Sequence, residues 1–333
     1  MKAEILRAPR VALVCAVALS FGSLACSASS TSGTLGIPDE GGVLDSAVAD
    51  ALASAPGDDG SGDEPEASTS TFVRLAQLSP DTSAVDVCVA PHGSTAFRGP
   101  LIGQLAASMG DVDLDGGDAE AAPGISYSQV SAYMPLDAGA YDVQIVAAGA
   151  SDCASPLVAA TPLPTLAAGA FTTVLLAGEA SPAGAEAPLG LTALVDDSVL
   201  PGGAAMLRVV NAVPSVPALD FGLGSAAAWI PVFTGVAFGA AGSHAATGEG
   251  TLDPAGYLPI GPLSAQPMSA RPADADAATD TAVATSVEVD FGSIATLVAI
   301  GGKTGDAAHP PQLLLCIDNQ PSGGLLSDCS VAR

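Results

Sequence analysis

Positive charge is what this sequence has least of: 9 Lys or Arg stand against 35 Asp or Glu in 333 residues, a formal net charge of −26. A surface for nucleic acid needs clustered Lys and Arg to meet the phosphates, so that class of partner is excluded. Adhesion to anionic lipid headgroups is excluded on the same ground. Aromatic residues are scarce too, with a single Trp, Trp229, and the ring platforms that usually hold sugars are correspondingly few. The chain has no C-x-x-C pair, G-x-S-x-G elbow, H-E-x-x-H helix or Gly-rich phosphate loop. Thiolate zinc, the common hydrolase nucleophile, zincin chemistry and nucleotide binding therefore lack their signatures. Beyond the N-terminus no apolar run approaches the roughly 20 residues needed to span a bilayer. A mean hydropathy of +0.46 still leaves enough apolar surface to bury, which rules out disorder throughout.

What is present begins with an address. Lys2, Arg7 and Arg10 precede an apolar stretch from Val11 to Leu19, the layout of an export signal. The run Gly22-Ser-Leu-Ala-Cys26 resembles the lipobox of bacterial lipoproteins, with Cys26 the residue that is acylated and becomes the new N-terminus. The expected order is a signal peptide over residues 1–25 and then a Ser, Gly and Asp-rich tether over 26–71. That tether has too few large apolar side chains to offset its ordering entropy, and as a coil it would span on the order of 35–40 Å. Removal of Lys2, Glu4, Arg7 and Arg10 leaves 6 basic and 34 acidic residues, a net of −28. The expected location is the bacterial outer membrane or cell surface, held by the N-terminal lipid alone.

The remainder contains the same blocks twice. Phe72-Val-Arg-Leu runs into Pro80 and Asp86 as Met206-Leu-Arg-Val runs into Pro214 and Asp220, at an offset of 134. Ile125-Ser-Tyr-Ser matches Val236-Ala-Phe-Gly, and Ala132-Tyr-Met-Pro-Leu136 matches Gly256-Tyr-Leu-Pro-Ile260. Gly169–Gly178 matches Gly292–Gly301, and Leu194-Val-Asp196 matches Cys316-Ile-Asp318. Five blocks in one order indicate a duplication, with units at 72–200 and 201–333. The changes of offset place an acidic insertion at about 103–124 in the first and a shorter one at about 243–255 in the second.

Each block carries the period of two expected of a half-buried strand, as in Val73, Leu75, Val85, Val87 and Val89. Pro80-Asp-Thr-Ser between the first two strands is turn chemistry and predicts a hairpin. Outside the signal no segment has a helical apolar period with caps. The fold class expected is all-β: two tandem immunoglobulin-like β-sandwich domains after a signal peptide and a disordered linker. The pattern V-R-x-x-x-x-S-P-D-x-x-A-V-D-V, then Y-M-P-L-x-A-G-x-Y-D-V, then G-x-x-x-T-V-L-L-A-G, resembles the bacterial domain of unknown function 4397 over about Phe72 to Asn319. That resemblance implies an exported cell-surface protein with tandem β-rich units. The family has no established activity, so no catalytic residue carries over.

Several candidate sites follow. Besides Cys26 and Cys15 of the signal, Cys88, Cys153, Cys316 and Cys329 remain, an even number in an exported chain. They allow three connectivities. Pairing within each unit, Cys88 with Cys153 and Cys316 with Cys329, respects the unit boundary, and closing the short loop contributes on the order of 2–3 kcal/mol. Asp111, Asp113, Asp115 and Asp118 lie in a D-x-D-x-D-G run that offers calcium several carboxylates on a turning loop. The bidentate Glu that closes an EF-hand cage is missing there, and Ala122 stands at its place. No other cofactor is expected. Arg74 with Asp86, and Arg208 with Asp220, each stand twelve residues apart and predict cross-strand ion pairs that fix register in a hairpin. Asp196 and Asp318 read as strand-end turn residues, and Trp229, beside Ile230 and Phe233, as a core aromatic. The function expected is a surface structural or binding module for an envelope protein or glycan, without catalysis. The alternatives are a hydrolase using unrecognised carboxylates and a calcium-dependent adhesion module.

Overall fold

In the computed structural model, residues 69–109, 124–182, 187–196, 204–224, 229–246, 248, 250–273, 283–302, 306–319 and 324–331 are described. The signal, Cys26, nearly all of the tether and Asp111–Asp118 lie outside them.

The described part is almost entirely β, as the alternation predicted. β1 (Ser70–Gln77), β3 (Gln129–Val130), β4 (Met134–Asp137), β7 (Phe171–Ala177) and β8 (Gly190–Asp196) form one sheet. In it β1 is flanked by β3 and β4 on one side and by β7, in parallel, on the other. β2 (Val85–Pro91), β5 (Tyr141–Ala147) and β6 (Val158–Pro162) make the facing sheet. The second half follows the same plan. β9 (Ala205–Asn211), β12 (Leu258–Ile260), β15 (Ile294–Ile300), β16 (Gln312–Ile317) and β17 (Cys329–Val331) form a sheet in the order β12-β9-β15-β16-β17. It faces a sheet of β10 (Ala218–Leu223), β11 (Ile230–Ala237), β13 (Leu263–Pro272) and β14 (Val283–Val289), ordered β11-β10-β13-β14. β9 and β15 are parallel, as β1 and β7 are.

Side-chain alternation along these strands separates three large cores. Val73 and Leu75 of β1 and Val174 and Leu176 of β7 pack against Val85, Val87, Val143 and Ile145 of the facing sheet. Leu207 and Val209 of β9, with Leu297 and Ala299 of β15, pack in the same way against Phe221, Phe233, Met268 and Val287. The opposite faces are buried as well. Ala76, Leu78, Leu175 and Ala177 meet Val210, Ala212, Val298 and Ile300 in a third core. The β1 sheet and the β9 sheet are thus the two inner layers of a four-layer stack. Their central strands, β1 with β7 and β9 with β15, are covered on both faces, the burial usual for strands in parallel pairing.

Two sequence expectations are corrected. β1 and β2 do not pair as a hairpin: the turn at Pro80–Ser83 carries the chain from one sheet to the facing one, because both edges of β1 are already taken. A helix, α1 (Leu101–Met109), also stands at the start of the acidic insertion. Ile102 is buried in the first core, with Leu101 and Leu105 packed against it. No adjacent residue caps α1. The cap is Asp86, on β2, whose carboxylate accepts from Ile102 N and Gly103 N, both at 2.8 Å.

Candidate functional site

The shared core is apolar except at its centre, where strands β1, β7 and β8 of the first half oppose β9, β15 and β16 of the second. Arg74 sits mid-strand on β1 and faces away from its own sandwich, as Arg208 does on β9. Both are at most 2% exposed. Each guanidinium turns first to a threonine of its own half: Arg74 Nε donates to Thr173 Oγ1 at 2.8 Å, and Arg208 Nε to Thr296 Oγ1 at 3.1 Å. Its terminal nitrogen then crosses to the other half. Arg74 Nη2 donates to Asp318, and Arg208 Nη2 to Asp196 Oδ1 at 2.5 Å. The threonines complete the circuit, Thr173 donating to Asp196 Oδ2 and Thr296 to Asp318 Oδ2, each at 2.6 Å.

The result is a closed ring of six side chains, Arg74, Asp318, Thr296, Arg208, Asp196 and Thr173. Two tyrosines finish it. Tyr133 donates to Asp196 Oδ2 and Tyr257 to Asp318 Oδ2, both at 2.8 Å. Their rings lie under Arg74 and Arg208, with the guanidinium carbon 4.6 and 4.4 Å from the ring centre.

The electrostatics follow from the count of two cations and two anions, all buried. Burial alone pushes the Asp196 carboxyl up, but Arg208, Arg74 and the Thr173 hydrogen bond together hold it below the usual carboxylate range. Burial disfavours the charge on each arginine, and the aspartates outweigh it, so both stay firmly protonated. The tyrosine hydroxyls are pushed up, first by burial and then by the neighbouring carboxylates. Each carboxylate is satisfied on both oxygens by arginine, threonine and tyrosine.

The paired positions expected from sequence are therefore redistributed. Arg74 does not pair with Asp86, nor Arg208 with Asp220, because each arginine and its expected partner stand on opposite sheets of one sandwich. Asp86 caps α1, and Asp220 accepts from Gly235 N at 2.8 Å. Asp196 and Asp318, expected to be turn residues, are the true counter-ions. The tyrosines and threonines were missed, although each recurs at matched positions: Tyr133 with Tyr257, and Thr173 with Thr296. Identical polar residues on strands otherwise filled by aliphatics were the available signal.

The cysteines close as Cys88–Cys153, between β2 and the segment after β5, and Cys316–Cys329, between β16 and β17. Two disulfides mark an extracytoplasmic protein. Among the described residues no helix is long and apolar enough to cross a membrane, and no group of three or more His, Cys, Asp or Glu is arranged to hold a metal ion. The calcium candidate Asp111–Asp118 falls outside those residues. Trp229 is half-buried rather than core, with the Arg271 guanidinium 3.4 Å above its ring.

Two cavities accompany these features. One, of about 380 Å³, opens at the end of the second sandwich between Leu223, Val232, Ile260, Leu263 and Met268. The other, of about 480 Å³, runs between the halves along Ala193, Leu194 and Val195 on one wall and Pro254, Ala255 and Gly256 on the other.

Among known proteins, the model of one family, the domain of unknown function DUF4397, matches residues 102–222. The match runs from α1 through the rest of the first half to β10, and it supports the resemblance to that family read from the sequence. No curated protein matches the chain.

Proposed function

We propose that this chain is an exported structural or binding module, built from two copies of one unit and held at the cell surface through a lipid on Cys26. The reading gives it no catalytic machinery. The observation that carries it is the closed ring: two buried carboxylates, Asp196 and Asp318, are committed to arginines of the opposite half. They fix the two sandwiches against each other instead of facing a cleft. A module of this kind presents its sheet edges and loops in constant relative positions, and the two disulfides suit it to an oxidising exterior. The acidic surface keeps such a body soluble and separated from its neighbours.

Labelling of the producing cells with a fatty-acid analogue tests the anchor. The wild-type chain is expected to incorporate the label and Cys26→Ala to lose it; equal labelling of the two refutes the lipid attachment. Protease added to intact cells is expected to cleave the protein. Full protection would place it away from the surface.

A further inference from the structure

The four-layer stack has an approximate two-fold relation between its halves, and one pair of related grooves is filled unequally. In the second half, the tail strand β17 adds to the outer edge of β16, with Cys329 opposite Cys316, Ser330 opposite Leu315 and Val331 opposite Leu314. The residues just before it are clamped by the first half. Ala132 N donates to Leu325 O at 2.7 Å and Ser327 N to Val130 O at 2.8 Å, while Ser327 Oγ donates to Ser131 O at 2.6 Å. The tail therefore lies in a groove whose walls are β16 and residues 130–132.

The block alignment carries those walls onto the other groove. Leu315, Cys316 and Ile317 correspond to Ala193, Leu194 and Val195; Val130 and Ser131 correspond to Ala241 and Gly242, which meet β9 as the first two meet β1, and Ala132 corresponds to Gly256. These six residues line the 480 Å³ cavity between the halves. Among the described residues no strand pairs with the outer edge of β8. Exposure follows from that. Leu314 and Cys316 are buried beneath β17, while their counterparts Thr192 and Leu194 are half-exposed and Val195 is 49% exposed. An open, apolar strand edge beside a concavity is a template for another strand.

We propose that this groove receives an extended peptide strand from a partner protein, added antiparallel to β8 in the manner of β17 on β16. This rests on the reading of the chain as a binding module and names its partner's chemistry. The occupant is read from the tail, Gly323-Gly-Leu-Leu-Ser-Asp-Cys-Ser-Val-Ala332: two glycines, two aliphatics, a polar pair, then alternation with a small or apolar residue facing Leu194. Where the tail has Cys329 opposite Cys316, the partner strand needs an apolar side chain, since Leu194 replaces the cysteine. The far wall contributes shape more than hydrogen bonds, because the N–H groups of Ala255, Gly256 and Tyr257 already bond to Asp253. Affinity therefore comes from the β8 ladder and from apolar contact. The net charge of −26 favours a neutral or basic peptide over a second acidic copy of this chain.

The test uses a dye-labelled peptide with the sequence of residues 323–332 carrying Asp328→Asn and Cys329→Ala, titrated into the full chain and followed by anisotropy and amide hydrogen exchange. Saturable one-site binding is expected, with new protection at Thr192–Val195. Ser243→Trp, at an exposed position on the groove wall, is expected to weaken binding at least tenfold without changing the melting temperature. Methylating alternate peptide nitrogens, which removes ladder donors and leaves the protein untouched, is expected to abolish binding even if that variant folds poorly. No binding up to millimolar peptide, affinity unchanged by the methylated peptide, or protection on β16 or another edge overturns the proposal. Any of these leaves the anchor and surface tests above unaffected.

Discussion

Where the two halves face each other they are matched residue for residue; at their rims they are not. Each contributes one Arg, one Asp and one Thr to the ring and one Tyr against it, from equivalent positions. Around that centre the first half has α1 with its cap and a disulfide into its outer sheet. The second has a longer outer sheet and a tail strand stapled to its inner one. At the contact each half depends on the other, because a change on one side leaves a buried charge on the other without its partner. Their outer surfaces carry no such reciprocal demand, and there the halves diverge.

The largest expected effect comes from breaking the ring. Asp318→Asn leaves Arg74 buried without its counter-ion and is expected to cost about 3–5 kcal/mol, lowering the melting temperature by on the order of 10 °C for a body of this size. Asp196→Asn, its equivalent, is expected to match it closely; a difference of more than about 2 kcal/mol would show the two crossings are not alike. Arg74→Met combined with Asp318→Leu is expected to be less damaging than either change alone, since neither charge is then stranded.

The disulfides sharpen the contrast at the rim. Cys88–Cys153 spans 65 residues and Cys316–Cys329 only 13, so chain entropy assigns them about 4 and 3 kcal/mol. Removing the shorter bridge is also expected to release the tail, seen as faster amide exchange at Leu314–Cys316. Exchange along β8, which has no such cover, is expected to stay as it was.

Acid gives a smaller and graded effect. The folded Asp196 carboxyl lies below its unfolded value of about 3.9. Its contribution is therefore complete above that pH and is lost as the pH falls toward the folded pKa. Stability measured by denaturant titration is expected to fall below about pH 4 in wild type, and the gap to Asp196→Asn to narrow over the same range. A gap that widens on acidification would contradict the depressed value.

The smallest difference concerns two aspartates that the sequence aligns and the structure uses differently. Asp86→Ala removes the cap of α1 and is expected to cost about 1–2 kcal/mol. Asp220→Ala loses one hydrogen bond to Gly235 and is expected to cost about 1 kcal/mol or less. Equal losses would mean α1 contributes nothing through its cap.

These aspartates also show how far the sequence could be read. Period-two alternation located most strands, and the disulfides followed from keeping each bridge within one unit. Alternation says that the two faces of a strand differ, but not what covers the second face. Arg74 and Ala76 therefore read as solvent-side residues of a half-buried strand when they line a second core. Pro80-Asp-Thr-Ser marks a reversal of the chain, but turn chemistry does not tell whether the flanking strands share a sheet. The cap of α1 lies on another strand, beyond any local rule, and the partner of Arg74 is 244 residues away. Arg74 and Asp86 were matched because they recur together in both copies. Asp196 and Asp318 recur just as faithfully, and only the packing of one copy on the other separates the true pairs from the apparent ones.

The central claim, that reciprocal ion pairs make one body of two sandwiches, is tested most directly by scanning calorimetry of the full chain and of Asp318→Asn. The account predicts a single cooperative transition in wild type, with calorimetric and van't Hoff enthalpies equal, and its displacement as a whole to lower temperature in the variant. Two resolved transitions in wild type, with Asp318→Asn moving one and leaving the other in place, would contradict it.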